Sequence, residues 1–197
     1  MIRLPNRQET PEQWDNNKVV NQEIQLAWNA SKENLDSTFD SDILAVTEQK
    51  ICKASDYSSI PYGKNGESTL EKSGCAAFCF HQGIRTRGEL YDIISIAKLI
   101  SEKGYYYPGR GTYHNLFDHY GIRRATHVNE IMSALSCGHI VTVLVDNKLY
   151  GSALAESHFI NIVGKEGENF IVDDSRVGRT KTQLSTVIAA SRVAWIW

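Results

Sequence analysis

The sequence predicts an α+β domain, and three observations carry that prediction. Apolar residues between positions 75 and 138 recur at three- and four-residue spacing. From position 139 onward the pattern changes to alternation with β-branched residues. Helices precede strands instead of alternating with them, which fits an antiparallel sheet better than a βαβ array. The chain has 197 residues, 42% hydrophobic and 22% charged, enough for one domain with a sizeable core.

Residues 1–55 are polar and rich in Asn, Gln, Glu and Asp, and read as an N-terminal extension leaning on a domain that spans residues 56–197. Amphipathic spacing predicts helices over 19–33 and 41–54, the second opened by Asp40 or Ser41 as a cap. Residues 56–66, DYSSIPYGKNG, form turns, with Pro61, Gly63 and Asn65-Gly66 as punctuation. A helix opens at Cys75. Another is predicted over 88–102, with Leu90, Ile93, Ile94, Ala97 and Ile100 inward, and Gly104 stops it. Gly109-Arg110-Gly111 makes a loop, after which Thr112 caps a short helix, YHNLFDHY, ending at Gly121. A further helix covers 129–136 and ends at Gly138. Strands are predicted over 139–146, 157–164, 170–173 and 192–197, and KEGEN between the second and third is a hairpin turn.

A net charge of −2 and dispersed basic residues give no reason to expect nucleic acid. The densest basic run, Arg85-Thr86-Arg87, reads as a solvated turn. No apolar run approaches the ~20 residues of a membrane span. The opening MIRLPNRQETPEQW has no apolar stretch, so a signal peptide is not expected and a cytoplasmic location is, with export by another route left open. Four cysteines, Cys52, Cys75, Cys79 and Cys137, do not make a disulfide scaffold in a chain of this size. The sequon at Asn29 carries no weight without a secretory signal.

One stretch stands out chemically. In STLEKSGCAAFCF, Cys75 sits where a polar loop becomes an apolar helix. A thiol with a pKa near ~8.5 needs a helix N-terminus or a nearby imidazolium to become a thiolate. Downstream, His158 opens one strand and Asp173-Asp174 closes the next. A cysteine, a histidine to share its proton and a carboxylate to aim the imidazole form a nucleophilic set. Each also has a plain reading: an inert helix thiol, a strand histidine on a carbonyl, and aspartates in a turn. Cys79, between Phe78 and Phe80, is the better structural cysteine. Cys75, Cys79 and His81 could also draw a zinc site, but no second well-spaced pair accompanies them, since His114, His119 and His127 lie on separate segments. No metal is expected.

Ser73-Gly74-Cys75, Gly109-Arg110-Gly111-Thr112, Gly138-His139-Ile140-Val141, Ser157-His158-Phe159-Ile160 and Val172-Asp173-Asp174 resemble, in order and spacing, the bacteriocin-leader-peptidase-like branch (family 39-like) of papain-like cysteine peptidases. DYSSIPYG resembles that branch's lead-in, so the resemblance covers about 56–197. It implies a papain-like fold, with the nucleophile helix packed on an antiparallel sheet. It also implies hydrolysis of a peptide or related amide bond through an acyl-enzyme, and a peptide or protein substrate without a cofactor. By the same resemblance Cys75 is the nucleophile, His158 the base and then acid, and Asp174 the orienting carboxylate. Asp173 then faces the other side of its strand. Two departures are Ala76-Ala77-Phe78 where the family has Gly-Pro-Thr, and Ser175 where a proline follows the aspartate. No glutamine lies between Cys52 and Cys75, so Thr69, Asn65 or a backbone group is the candidate oxyanion donor. A non-catalytic peptide-binding module on the same fold, and an acyltransferase or transpeptidase, are the alternative functions.

Overall fold

The computed structural model describes residues 51–150 and 157–197. The helix expected over 19–33, most of that over 41–54, and Asn29 lie outside the described residues. Of the second helix, residues 51–53 are described and are not helical; a 3-10 turn, Ala54–Tyr57, follows them. There the Ala54 N–H donates to the Ser175 carbonyl at 2.8 Å, which fixes the segment against the sheet's far end.

The turn-forming segment becomes a small hairpin of β1 (Pro61–Tyr62) and β2 (Ser68–Thr69). Helix α1 (Leu70–Ser73) follows, with Thr69 Oγ1 accepting from the Lys72 N–H at 3.4 Å. Helix α2 (Cys75–Thr86) then starts directly after Gly74. A Cβ at Gly74 would collide with the Leu70 carbonyl and side chain, so two helices can abut there only through glycine. Helix α3 (Ile93–Glu102) buries Ile93, Ile96, Ala97 and Ile100 and is capped by Asp92, whose Oδ1 accepts from the Ser95 N–H at 2.8 Å. This shortens the helix expected over 88–102. Leu90 lies before it and is 84% exposed instead of inward, and Ile94 is also exposed. The Asp92 cap fixes the start, and the stripe from Ile93 is sufficient to bury the helix without Leu90.

Strands β3 (Tyr106–Tyr107) and β4 (Gly111–Thr112) form a second small hairpin with the Gly109-Arg110-Gly111 loop at its tip. Thr112 is therefore a strand residue and not a helix cap; its hydroxyl pairs with that of Tyr62 at 2.5 Å. Helix α4 (Asn115–His119) follows, then β5 (Arg123–Ala125) and α5 (Val128–Ser136).

The rest is sheet: β6 (Val141–Asp146), helix α6 (Asn147–Tyr150), β7 (Ser157–Glu166), β8 (Asn169–Asp174), β9 (Gly178–Gln183), helix α7 (Leu184–Ala190) and β10 (Ser191–Ile196). The six strands lie in the order β5-β10-β6-β7-β8-β9, and every pairing is antiparallel. Alternation splits their side chains between two cores. Leu144, Phe159, Val163, Val193 and Trp195 pack toward α2 and α3, whereas Val143, Val145, Ile160, Ile162 and Val172 pack toward α5 and α7. Phe117 stacks on Trp195 at 4.7 Å between ring centroids. A Cβ at Gly83 would overlap the Trp197 indole, so α2 packs directly on that ring through its glycine.

A buried polar chain joins α2 to the sheet. Asn161 and Asp173 face each other across β7 and β8. Gln82 bridges them, donating to Asp173 Oδ2 at 2.5 Å and accepting from Asn161 Nδ2 at 2.9 Å. Asn161 also donates to the Cys79 carbonyl at 3.1 Å. These bonds fix the rotation of α2, and with it the placement of the residue at its N-terminus.

Candidate active site

Cys75 is the first residue of α2, where the leading N–H groups have no carbonyl partner within the helix. That end carries partial positive charge and favours a thiolate. The thiol is half-buried. The His158 ring and the N–H groups of Phe159 and Ala76 lie close enough to its sulfur to favour the thiolate. Burial pushes the thiol pKa up, but the His158 contact and the two amides outweigh it and hold the pKa below its ordinary value.

His158, 4% exposed, is the second residue of β7. Its Nε2 lies 2.9 Å from Asp174 Oδ1, so Nδ1 is the nitrogen left for the sulfur. Burial alone would lower its pKa. The bond to Asp174, the nearby Cys75 sulfur and the charges of both reverse that and raise it to about 9. Asp174, at the end of β8, is also buried; burial raises its pKa, yet His158 and Arg176 bring it well below the usual carboxylate range. The two shifts run in the directions that favour thiolate and imidazolium.

The structure thus brings Cys75, His158 and Asp174 together from a helix start, a strand start and a strand end. Asp173 turns the other way, to Gln82 on α2 and to Arg179, whose Nε and Nη2 each donate to it at 2.7 Å. Thr69 caps α1. Asn65 sits in the exposed turn between β1 and β2, donating from Nδ2 to Glu67 Oε1 at 3.2 Å. Cys79, one turn past Cys75, is buried, and burial followed by the charges of Cys75 and the two aspartates pushes its thiol well up. The potential zinc set disperses: His81 Nδ1 lies 3.9 Å from Cys52 Sγ, away from Cys75. Among the described residues no group of three or more His, Cys, Asp or Glu side chains is gathered as a metal requires.

Two neighbours carry no sequence signal of their role. Tyr62, fully buried, is close enough to Cys75 to feel its charge; burial and that charge raise its phenol while the Thr112 bond opposes. Arg176, in the turn between β8 and β9, donates to both Asp174 oxygens. Its position two residues past an aspartate is the one pattern that could have pointed to it.

No family model matches the chain, and no curated protein matches it by sequence. Among solved structures, a protein from Bacillus anthracis provisionally named a C39-like peptidase is similar, with a TM-score of 0.51 and 11% identity over 76% of this chain and 97% of that one. At that identity the likeness is one of fold. The fold is α+β and papain-like, with helices packed on an antiparallel sheet. Among the described residues no helix is long and apolar enough to cross a membrane.

Proposed function

We propose that this protein is a cysteine-dependent hydrolase that cleaves a peptide or related amide bond through an acyl-enzyme. The observation that carries the reading is the convergence of three side chains: Cys75 at a helix N-terminus beside the His158 ring, whose Nε2 lies 2.9 Å from Asp174 Oδ1. The fold shared with the Bacillus anthracis protein supports it.

In the first half-reaction the Cys75 thiolate attacks the carbonyl carbon, forming a C–S bond and a tetrahedral oxyanion. The N–H of Cys75, pointing out of the helix start, donates to that oxygen. Of the side chains, Thr69 is the better second donor. Its hydroxyl accepts from the Lys72 N–H and keeps its own proton to give, whereas Asn65 is held to Glu67 in the exposed turn between β1 and β2. Collapse breaks the C–N bond as imidazolium His158 gives its proton to the leaving amine. Neutral His158 then takes a proton from water, whose oxygen attacks the thioester. Expulsion of the thiolate returns the starting ion pair. Asp174 accepts the Nε2–H throughout, which keeps Nδ1 aimed at the sulfur.

A peptide-aldehyde probe tests this reading. A reversible adduct on Cys75, absent in Cys75→Ala, together with cleavage of a mixed peptide library lost in the same variant, is the expected result. Library cleavage that survives Cys75→Ala would overturn it.

A further inference from the structure

Two arginines past β8, Arg176 in the turn and Arg179 at the start of β9, divide the two adjacent aspartates between them. Arg179 takes Asp173 on the α2 side. Arg176 takes Asp174, with its backbone N–H on Oδ1 at 2.9 Å, its Nε on Oδ1 at 3.2 Å and its Nη2 on Oδ2 at 2.9 Å. We propose that Arg176 is a positioning residue for the site, a two-pronged clamp that fixes the plane of the Asp174 carboxylate so that Oδ1 meets His158 Nε2. This rests on the reading of Cys75, His158 and Asp174 as one site.

The geometry supports a clamp. The backbone bond closes an Asx turn, reinforced by the Val177 N–H donating to the Asp174 carbonyl at 3.2 Å, with Gly178 at φ +90° leading into β9. That turn holds the aspartate's main chain and one oxygen. It leaves rotation of the carboxyl about its last bond to be settled, and the guanidinium, reaching both oxygens, settles it. Arg176 keeps its side chain 28% exposed and Asp174 2%, so the cation stands between solvent and the buried carboxylate. Among the described residues, the other titratable groups facing the His158–Asp174 pair are Cys75 and Cys79 from α2 and Tyr150 from α6.

A clamp and a bare field effect have opposite signs. Removing a cation near an imidazole favours imidazolium and raises its pKa. Releasing Asp174 weakens the bond that stabilises imidazolium and lowers it. The test is an NMR titration of the His158 ring in a Cys75→Ala background, which removes the coupled thiol and makes the result independent of whether Cys75 is a nucleophile. The clamp predicts that Arg176→Ala lowers the His158 pKa by about one unit, a tenfold change in protonation equilibrium. It predicts a smaller fall in Arg176→Lys, which keeps the charge and loses the fork. Arg179→Ala, at the start of β9, should lower thermal stability without moving the titration. An unchanged or raised His158 pKa in Arg176→Ala would overturn the clamp. Should that variant not fold, an unchanged titration in Arg176→Lys would overturn it equally. Absence of an aldehyde adduct on Cys75 in the otherwise native protein would instead count against the hydrolase reading.

Discussion

Asp173 and Asp174 are neighbours in the chain and turn to opposite sides of β8. Asp174 Oδ1 lies 2.9 Å from His158 Nε2, while Asp173 Oδ2 lies 2.5 Å from Gln82 Nε2 on α2. One strand end therefore serves two tasks, aiming an imidazole and anchoring the helix that carries the thiol.

The two aspartates should separate chemistry from stability. Asp174→Asn keeps a similar shape but favours the wrong imidazole tautomer, and should lower turnover by about 10⁴-fold with the fold intact. Asp173→Asn strips charge from a buried pair with Arg179 and should cost about 3 kcal/mol or more of stability. Turnover and urea denaturation of both variants check this; a collapse of turnover confined to Asp173→Asn would place the orienting role on the wrong residue.

The two helix cysteines should separate in the same way. Cys75→Ala removes turnover and changes stability by no more than about 1 kcal/mol, because a half-buried thiol contributes little packing. Cys79→Ser places a hydroxyl in an apolar site and should cost about 1–3 kcal/mol while retaining activity. Melting curves and assays on the pair decide it.

Turnover should depend on pH as a thiolate–imidazolium pair requires. Activity rises as the Cys75 thiol ionises, below its ordinary range, and falls as His158 loses its proton near pH 9. Stability has its own sign. The His158 contribution is complete below its unfolded pKa of about 6.5 and is lost as pH rises through about 9. That of Asp174 is complete above about 3.9 and is lost in stronger acid. A kcat/KM profile whose alkaline limb lies near 7 would contradict the raised imidazole.

Gly83→Ala should be poorly tolerated, since its Cβ would overlap the Trp197 indole. A cost of about 1–3 kcal/mol in chemical denaturation is expected, as in other overpacked cores. Gly88→Ala offers a control for a surface glycine: no atom lies within reach of its Cβ, though its positive φ of 79° adds some strain.

The fold was legible where residues report on burial. The runs VTVLVD and SHFINIV, and FIVD apart from half-buried Ile171, are buried and show it in β-branched and aromatic side chains. The stripe Ile93, Ile96, Ala97 and Ile100 marked its helix for the same reason. Edge elements carried no such mark. β9, GRTKTQ, is polar because it lies at the rim of the sheet and buries only Gly178. β5 is three residues with two exposed arginines. Helix α7, LSTVIAA, is rich in β-branched residues whose local preference is for strand, and packing against the sheet overrides it. Cys75, His158 and Asp174 could be picked out by residue type and order. Arg176, Tyr62 and Gln82 could not, because what they touch lies far away in sequence or depends on the shape of one turn.

The most direct test of Cys75 as an activated thiol is its rate of alkylation by iodoacetamide against pH, read by mass spectrometry alongside Cys52, Cys79 and Cys137. Cys75 should react roughly tenfold or more faster than the others at pH 7, with a half-rise below the ~8.5 of an ordinary thiol. That advantage should disappear in His158→Ala. A Cys75 profile that titrates near ~8.5 like a free thiol, or one indifferent to His158, would contradict the thiolate–imidazolium pair.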